Sequence, residues 1–228
     1  MTPPDRTVDA AFFDLFGTLV SLGPLVGACD RVAPGRGAEL AARWRARQLE
    51  TSWLRTAMDR WANFDAVTHD TLLVTLQELG ITGLDDRDLA ALADAFTELP
   101  LVAGAADAVG RLRAGGLVTG ILTNASAATL GRVADRLDLP IDYRLSVDAV
   151  RRYKPHPSVY RLAVDATGLA AERIGFVTAN GWDAAGASAF GFRVAWLRPT
   201  AAARLPAVGA PEPAIATWPE IAAVFGVP

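Results

Sequence analysis

Short apolar runs alternate with amphipathic stretches along most of the chain, and this rhythm predicts an α/β fold, a parallel sheet covered by helices. Strands are expected at Val8–Phe13, Leu117–Leu122, Tyr143–Val147, Ile174–Val177 and Val194–Leu197, where Val, Ile, Leu and Phe gather. Between them the spacing of apolar positions predicts helices over Ala105–Ala114, Ala127–Leu137, Ser158–Thr167 and Trp182–Ala189. Gly115 and Gly116 form a helix stop ahead of the second strand.

Residues from Pro24 to Leu99 break this rhythm, with several helical patterns and no clear strand. One helix is expected from Ala38 to about Arg60, its Leu40, Trp44, Gln48 and Leu49 spaced to share a face. Two more are expected over Ala66–Leu79 and Asp86–Leu99. So long a strandless stretch makes a poor loop and a good inserted cap. The expected organisation is a Rossmann-like core of residues 1–23 and 100–228, first strand central, with a helical cap of residues 24–99 over its carboxyl edge. The tail after Pro199, rich in Ala and Pro, is expected to be peripheral.

Composition narrows the function classes. Half of the 228 residues are hydrophobic and 21% are charged, ordinary for a globular protein able to bury a sizeable core. A net charge of −3 argues against a nucleic-acid partner. The lone Cys29, read as a small buried residue, cannot form an internal disulfide, which suits a reducing cytoplasm. Asp5 and Asp9 beside the first apolar run do not make a signal peptide, and no apolar stretch is long enough to cross a bilayer. The expectation is a soluble, cytoplasmic protein with no membrane partner.

Four segments carry candidate chemistry. The first strand runs into FFDLFGTL, which puts Asp14 and Thr18 at the carboxyl edge, where open α/β sheets bind ligands. The second ends in LTNAS, with Thr123 and Asn124. YKPHPSVY holds Lys154 and Tyr160, and FVTANGWD holds Thr178, Asn180 and Asp183. Lys154 is the sole lysine among 22 basic residues, and Asn124 and Asn180 are two of only three asparagines with Asn63. In isolation Asp14 reads as a helix cap, Asn124 and Asn180 as turn residues, Asn63 as a helix end, and Arg45 as one more solvated arginine. Trp44, Trp53 and Trp61 read as cap packing, and neither His69 nor His156 has a nucleophile motif beside it.

In order and spacing, FDLFGTL, the helical insertion with Arg45 after Trp44, LTN, YKP and ANGWD resemble the haloacid dehalogenase superfamily, and within it the L-2-haloacid dehalogenases. Most phosphatases of that superfamily carry a second Asp two residues after the nucleophile, where this chain has Phe16. They also carry a Mg²⁺-binding acid where it has Thr178, Ala179 and Asn180. The acid and much of a hard-oxygen metal site are thus missing. A halide leaving group needs no proton, so dehalogenation tolerates that loss.

The resemblance implies hydrolytic dehalogenation of short L-2-haloalkanoic acids to D-2-hydroxy acids, with halide as the other product and no metal or cofactor. Asp14 would be the nucleophile, forming an aspartyl ester. Lys154 would favour its charged form, Asp183 would orient Lys154 or the hydrolytic water, and Thr18 and Asn180 would steady the carboxylates. Thr123 and neighbouring backbone N–H groups would hold the substrate carboxylate, and Arg45 would meet the halide or carboxylate as a fixed charge. Asn124, Phe64, Leu49 and Trp182 would wall the pocket, with Phe16 and Thr178 on it and Tyr160 in support. The family commonly has Tyr at Phe16, Ser at Thr123 and Thr178, and often Ser at Ala179, which leaves substrate preference open. Rival expectations are the same mechanism on fluoroacetate or azetidine-2-carboxylate, a Mg²⁺-dependent phosphatase, and a non-catalytic binding relative. The resemblance also implies a homodimer.

Overall fold

The computed structural model describes residues 7–197 and 214–227. Six strands form one wholly parallel sheet: β1 (Ala10–Phe13), β2 (Val118–Thr123), β3 (Tyr143–Ser146), β4 (Ile174–Thr178), β5 (Arg193–Leu197) and β6 (Ala214–Ala216), in the order β3-β2-β1-β4-β5-β6. All four β1 residues, Ala-Ala-Phe-Phe, are buried, because a strand covered on both faces has no side to show to water.

Register places the chemistry. Phe13 pairs with Ile121 of β2 on one side and Val177 of β4 on the other. The residues next beyond these ends, including Asp14, Asn124 and Asn180, therefore leave the sheet at one edge. The chain crosses from β1 to β2 on one flank and returns to β4 on the other, so this edge is a topological switch point.

Four helices lie between β1 and β2 with no intervening strand among the described residues: α1 (Gly23–Val32), α2 (Gly37–Ala57), α3 (Phe64–Glu78) and α4 (Asp86–Asp94). A fifth, α5 (Ala105–Ala114), leads into β2. The core helices α6 (Ala127–Leu137), α7 (Pro157–Thr167) and α8 (Gly181–Phe190) fall within a residue of their expected bounds. Asn63 caps α3, its side chain accepting from the Ala66 N–H at 2.9 Å, in keeping with a helix-end role.

Three expectations need correction. The helix α1 was not foreseen; Pro24 sits in its first turn, which suits a proline, and Leu25, Ala28 and Cys29 face inward. The helix α4 stops five residues before Leu99, and Phe96 and Leu99 are buried from irregular turns instead. The C-terminal tail is not peripheral. It adds β6 to the sheet and then α9 (Ile221–Val224), burying Ile221, Phe225 and Val227. Phe225 lies so close over β4 that a Cβ on Gly175 would come within 2.7 Å of its ring. Pro199 and the rest of 198–213 lie outside the described residues.

Candidate active site

Asp14 follows β1 directly and is 5% exposed. The chain then turns through Gly17, whose φ of +81° is one that a residue with a Cβ rarely adopts. This turn returns Thr18 to the carboxylate. Thr18 Oγ1 donates to Asp14 Oδ2 at 3.0 Å and accepts from the Ala179 N–H at 3.0 Å. Asn180 Nδ2 donates to the same Oδ2 at 2.7 Å and to the Phe16 carbonyl at 3.1 Å. Among the described residues Oδ1 accepts only from Lys154 Nζ, at 3.1 Å. One carboxylate oxygen is thus fully engaged and the other keeps a lone pair.

Lys154 is fully buried, with its ammonium 4.7 Å from the Phe176 ring centroid. It also donates to Asp183 Oδ2 at 2.9 Å, and Tyr160 Oη donates to Asp183 Oδ1 at 2.8 Å. Burial pushes the Asp183 carboxyl up to about 6, and the charge of Asp14 adds to this. The ammonium of Lys154 and the Tyr160 hydroxyl pull it back down. Burial and the Asp183 charge in turn raise the Tyr160 phenol well above its ordinary value, so it stays a donor.

This donor set does not fit a divalent metal. Asp14 Oδ2 and the Phe16 carbonyl are bridged by the Asn180 amide. Both Asp183 oxygens face Lys154 and Tyr160. Hard cations need several free oxygen ligands, and here N–H and O–H groups engage all of these but Asp14 Oδ1.

The helical segment supplies the other wall. Arg45 of α2 lies within reach of the Asp14 charge, and burial lowers its guanidinium to about 10, well above neutral pH. Its NH1 donates to Gln48 Oε1 at 3.0 Å. Leu49 sits one turn beyond Arg45 and is half-buried. Phe64 opens α3 and stacks on Phe16 at 6.4 Å, while Phe96 meets Phe16 edge-on at 5.5 Å. Trp182 packs edge-on against Trp53, whose indole donates to the Lys154 carbonyl at 3.1 Å.

The remaining expected residues sit at the strand ends. Asn124 Oδ1 accepts from the Lys154 N–H at 2.9 Å, leaving its buried Nδ2 without a partner among the described residues. Thr123 and Thr178 are buried and brace their own turns, accepting from the N–H groups of Ala125 and Asn180. Sequence reasoning placed Gln48 on the packing face of α2 and missed its polar contacts; a glutamine three residues beyond an arginine was the available signal. It also missed Asp65, which accepts from Ser126 Oγ at 2.6 Å and Thr129 Oγ1 at 2.9 Å and so ties α3 to the start of α6.

A family model for haloacid dehalogenase-like hydrolases matches residues 8–191. An (S)-2-haloacid dehalogenase of Pseudomonas putida is 41% identical over 194 residues, covering 84% of this chain and 85% of the relative. The chain belongs to the L-2-haloacid dehalogenase family. A second member, from Pseudomonas sp. strain YL, is 43% identical over 190 residues, 82% of each chain. The L-2-haloacid dehalogenase of Xanthobacter autotrophicus, solved with chloropropionic acid covalently bound, superposes with a TM-score of 0.85 at 31% identity, covering 94% of this chain and 96% of that one. As a member of this family the protein is an enzyme, a hydrolase.

Proposed function

We propose that this hydrolase converts short L-2-haloalkanoic acids to D-2-hydroxy acids through an ester on Asp14, without a metal or other cofactor. The observation that carries the reading is the asymmetry of Asp14: Oδ2 accepts two hydrogen bonds and Oδ1 accepts one.

Oδ1, with its free lone pair, attacks the α-carbon from the face opposite the halogen. The carbon–halogen bond breaks as the carbon–oxygen bond forms, and the halide leaves with the bonding pair. Arg45 and the free Asn124 Nδ2 receive the anionic groups, and Thr123 with its neighbouring N–H groups holds the carboxylate. Phe16, Phe64, Leu49, Thr178 and Trp182 close the pocket around the alkyl chain. Oδ2 is now the ester carbonyl oxygen, already held by Thr18 and Asn180. Those donors stabilise the oxyanion when water adds to the Asp14 carboxyl carbon. Asp183, raised towards neutrality and held by Tyr160, takes the proton from that water beside Lys154. On collapse the leaving alkoxide takes that proton back from Asp183 and departs as the hydroxy acid, and the added hydroxyl loses its proton to solvent as the Asp14 carboxylate is restored. The first step inverts the α-carbon and the second breaks the acyl–oxygen bond, so an L-haloacid gives a D-hydroxy acid.

Single turnover in heavy-oxygen water tests the route. Label should enter Asp14 first, and label going straight into product would overturn the ester. Activity towards L-2-chloropropionate should also survive a chelator, whereas a phosphatase would lose its metal.

In this reading residues 24–99 act as the cap, and the protein works in the cytoplasm, where the free, buried thiol of Cys29 stays reduced. We further propose a homodimer through the outer faces of α2 and α3. Leu54 of α2, Met58 just past its end, and Leu73 and Val74 of α3 are exposed, apolar surface that a second copy would cover. Sedimentation should give twice the chain mass, and charges placed at Leu54 and Leu73 should halve it.

A further inference from the structure

Arg45 has one hydrogen-bond partner among the described residues, and that partner is neutral. Gln48 is fully buried beneath it on α2, its Oε1 accepting from the guanidinium at 3.0 Å. The amide cannot turn over, because its Nε2 donates to Thr68 Oγ1 of α3 at 2.6 Å. Thr68 is itself held: its carbonyl accepts from Trp44 Nε1 at 2.9 Å, and its side chain is buried. A chain of three side chains from two helices therefore fixes where the guanidinium points. A half-buried arginine such as this one more often meets a carboxylate, which fixes it equally well and cancels its charge. No carboxylate lies within ion-pair distance of Arg45 among the described residues.

We propose that Gln48, locked by Thr68, is a positioning residue that aims Arg45 at the incoming anion while leaving its positive charge uncompensated. The inference rests on the reading in which Arg45 meets substrate carboxylate or halide. An acid in place of Gln48 keeps the geometry and removes the charge. An apolar side chain keeps the charge and loses the geometry. Thr68 acts two contacts away from the substrate, through the amide it orients.

The test compares Gln48→Glu, Gln48→Met, Thr68→Val and Arg45→Met in the full chain. The readouts are kcat and KM for L-2-chloropropionate, the Kd values of chloride and propionate, and thermal midpoints. Gln48→Glu should raise KM and both Kd values by about tenfold to a hundredfold while melting like the parent. Gln48→Met should weaken the anions less and depress kcat more. Thr68→Val should lower kcat/KM several-fold, roughly in proportion to the lost anchor. A merely structural Gln48 would reverse the order, since the isosteric acid disturbs packing least. If Gln48→Glu and Thr68→Val leave anion affinity within about twofold while Arg45→Met abolishes it, the assignment of Gln48 is wrong and the role of Arg45 stands. If Arg45→Met also leaves anion affinity and kcat unchanged, the reading beneath it falls.

Discussion

The two walls of the site are built on opposite plans. On the sheet side, Asp14, Thr18, Lys154, Tyr160, Asn180 and Asp183 bond to one another in a closed network, buried at strand ends. On the helical side, Arg45 makes a single hydrogen bond among the described residues, and Leu49, Phe64 and Phe96 are apolar. The first plan presets the reacting oxygen before substrate arrives, so little reorganisation is left for the chemical step. The second leaves an unpaired cation and a hydrocarbon surface, which is what an amphipathic anion can use. In the proposed reading, chemistry falls to the sheet layer and recognition to the inserted one.

The sharpest break in this contrast comes from the sheet side. Lys154→Met leaves two buried carboxylates without their cation. It should lower kcat/KM for L-2-chloropropionate by roughly a thousandfold or more. It should also cost about 3–5 kcal/mol in urea unfolding at neutral pH. A helical-side change such as Leu49→Ala should move KM more than kcat and leave stability nearly intact.

Tyr160→Phe probes the network more gently. It removes the 2.8 Å bond that holds down the Asp183 carboxyl, so the acid limb of the rate profile should move to higher pH. The loss in stability should be about 1–3 kcal/mol, as for a buried polar group left without its donor. An unmoved limb would remove Asp183 from the rate-determining proton transfer.

Asp183 also marks stability. Its carboxyl is raised in the folded state from 3.8 to about 6, so the native chain binds that proton more tightly than the unfolded one. Its contribution is greatest below 3.8 and declines as pH rises through about 6. In Asp183→Asn that decline should vanish from urea midpoints measured between those values.

The smallest effect is expected at the seam between the walls. Asp65→Ala loses two part-buried bonds to Ser126 and Thr129, and should lower stability by about 1 kcal/mol. Its larger trace should be faster hydrogen exchange at the start of α6, next to the Thr123–Asn124 turn.

Strand existence, strand ends and the order of the four motifs were legible in the chain, because a buried parallel strand is a local apolar run and its last residue marks the sheet edge. Asp14, Asn124 and Asn180 could therefore be assigned to one crevice by position alone. Their pairing could not. That Oδ2 of Asp14 takes Thr18 and Asn180 while Oδ1 keeps a lone pair depends on the Gly17 turn and on distances among segments up to 166 residues apart. Gln48 occupied an apolar-face position in the helical pattern, and only the approach of α3 turned it into a link between Thr68 and Arg45. Three-residue β6 and four-residue α9 were too short for any periodicity to show; they exist because the edge of β5 and the face over Gly175 were there to receive them. Local pattern determined which elements form and where their ends fall. Packing decided which side chains meet, since hydrogen bonds and burial depend on partners that the chain brings together only when it folds.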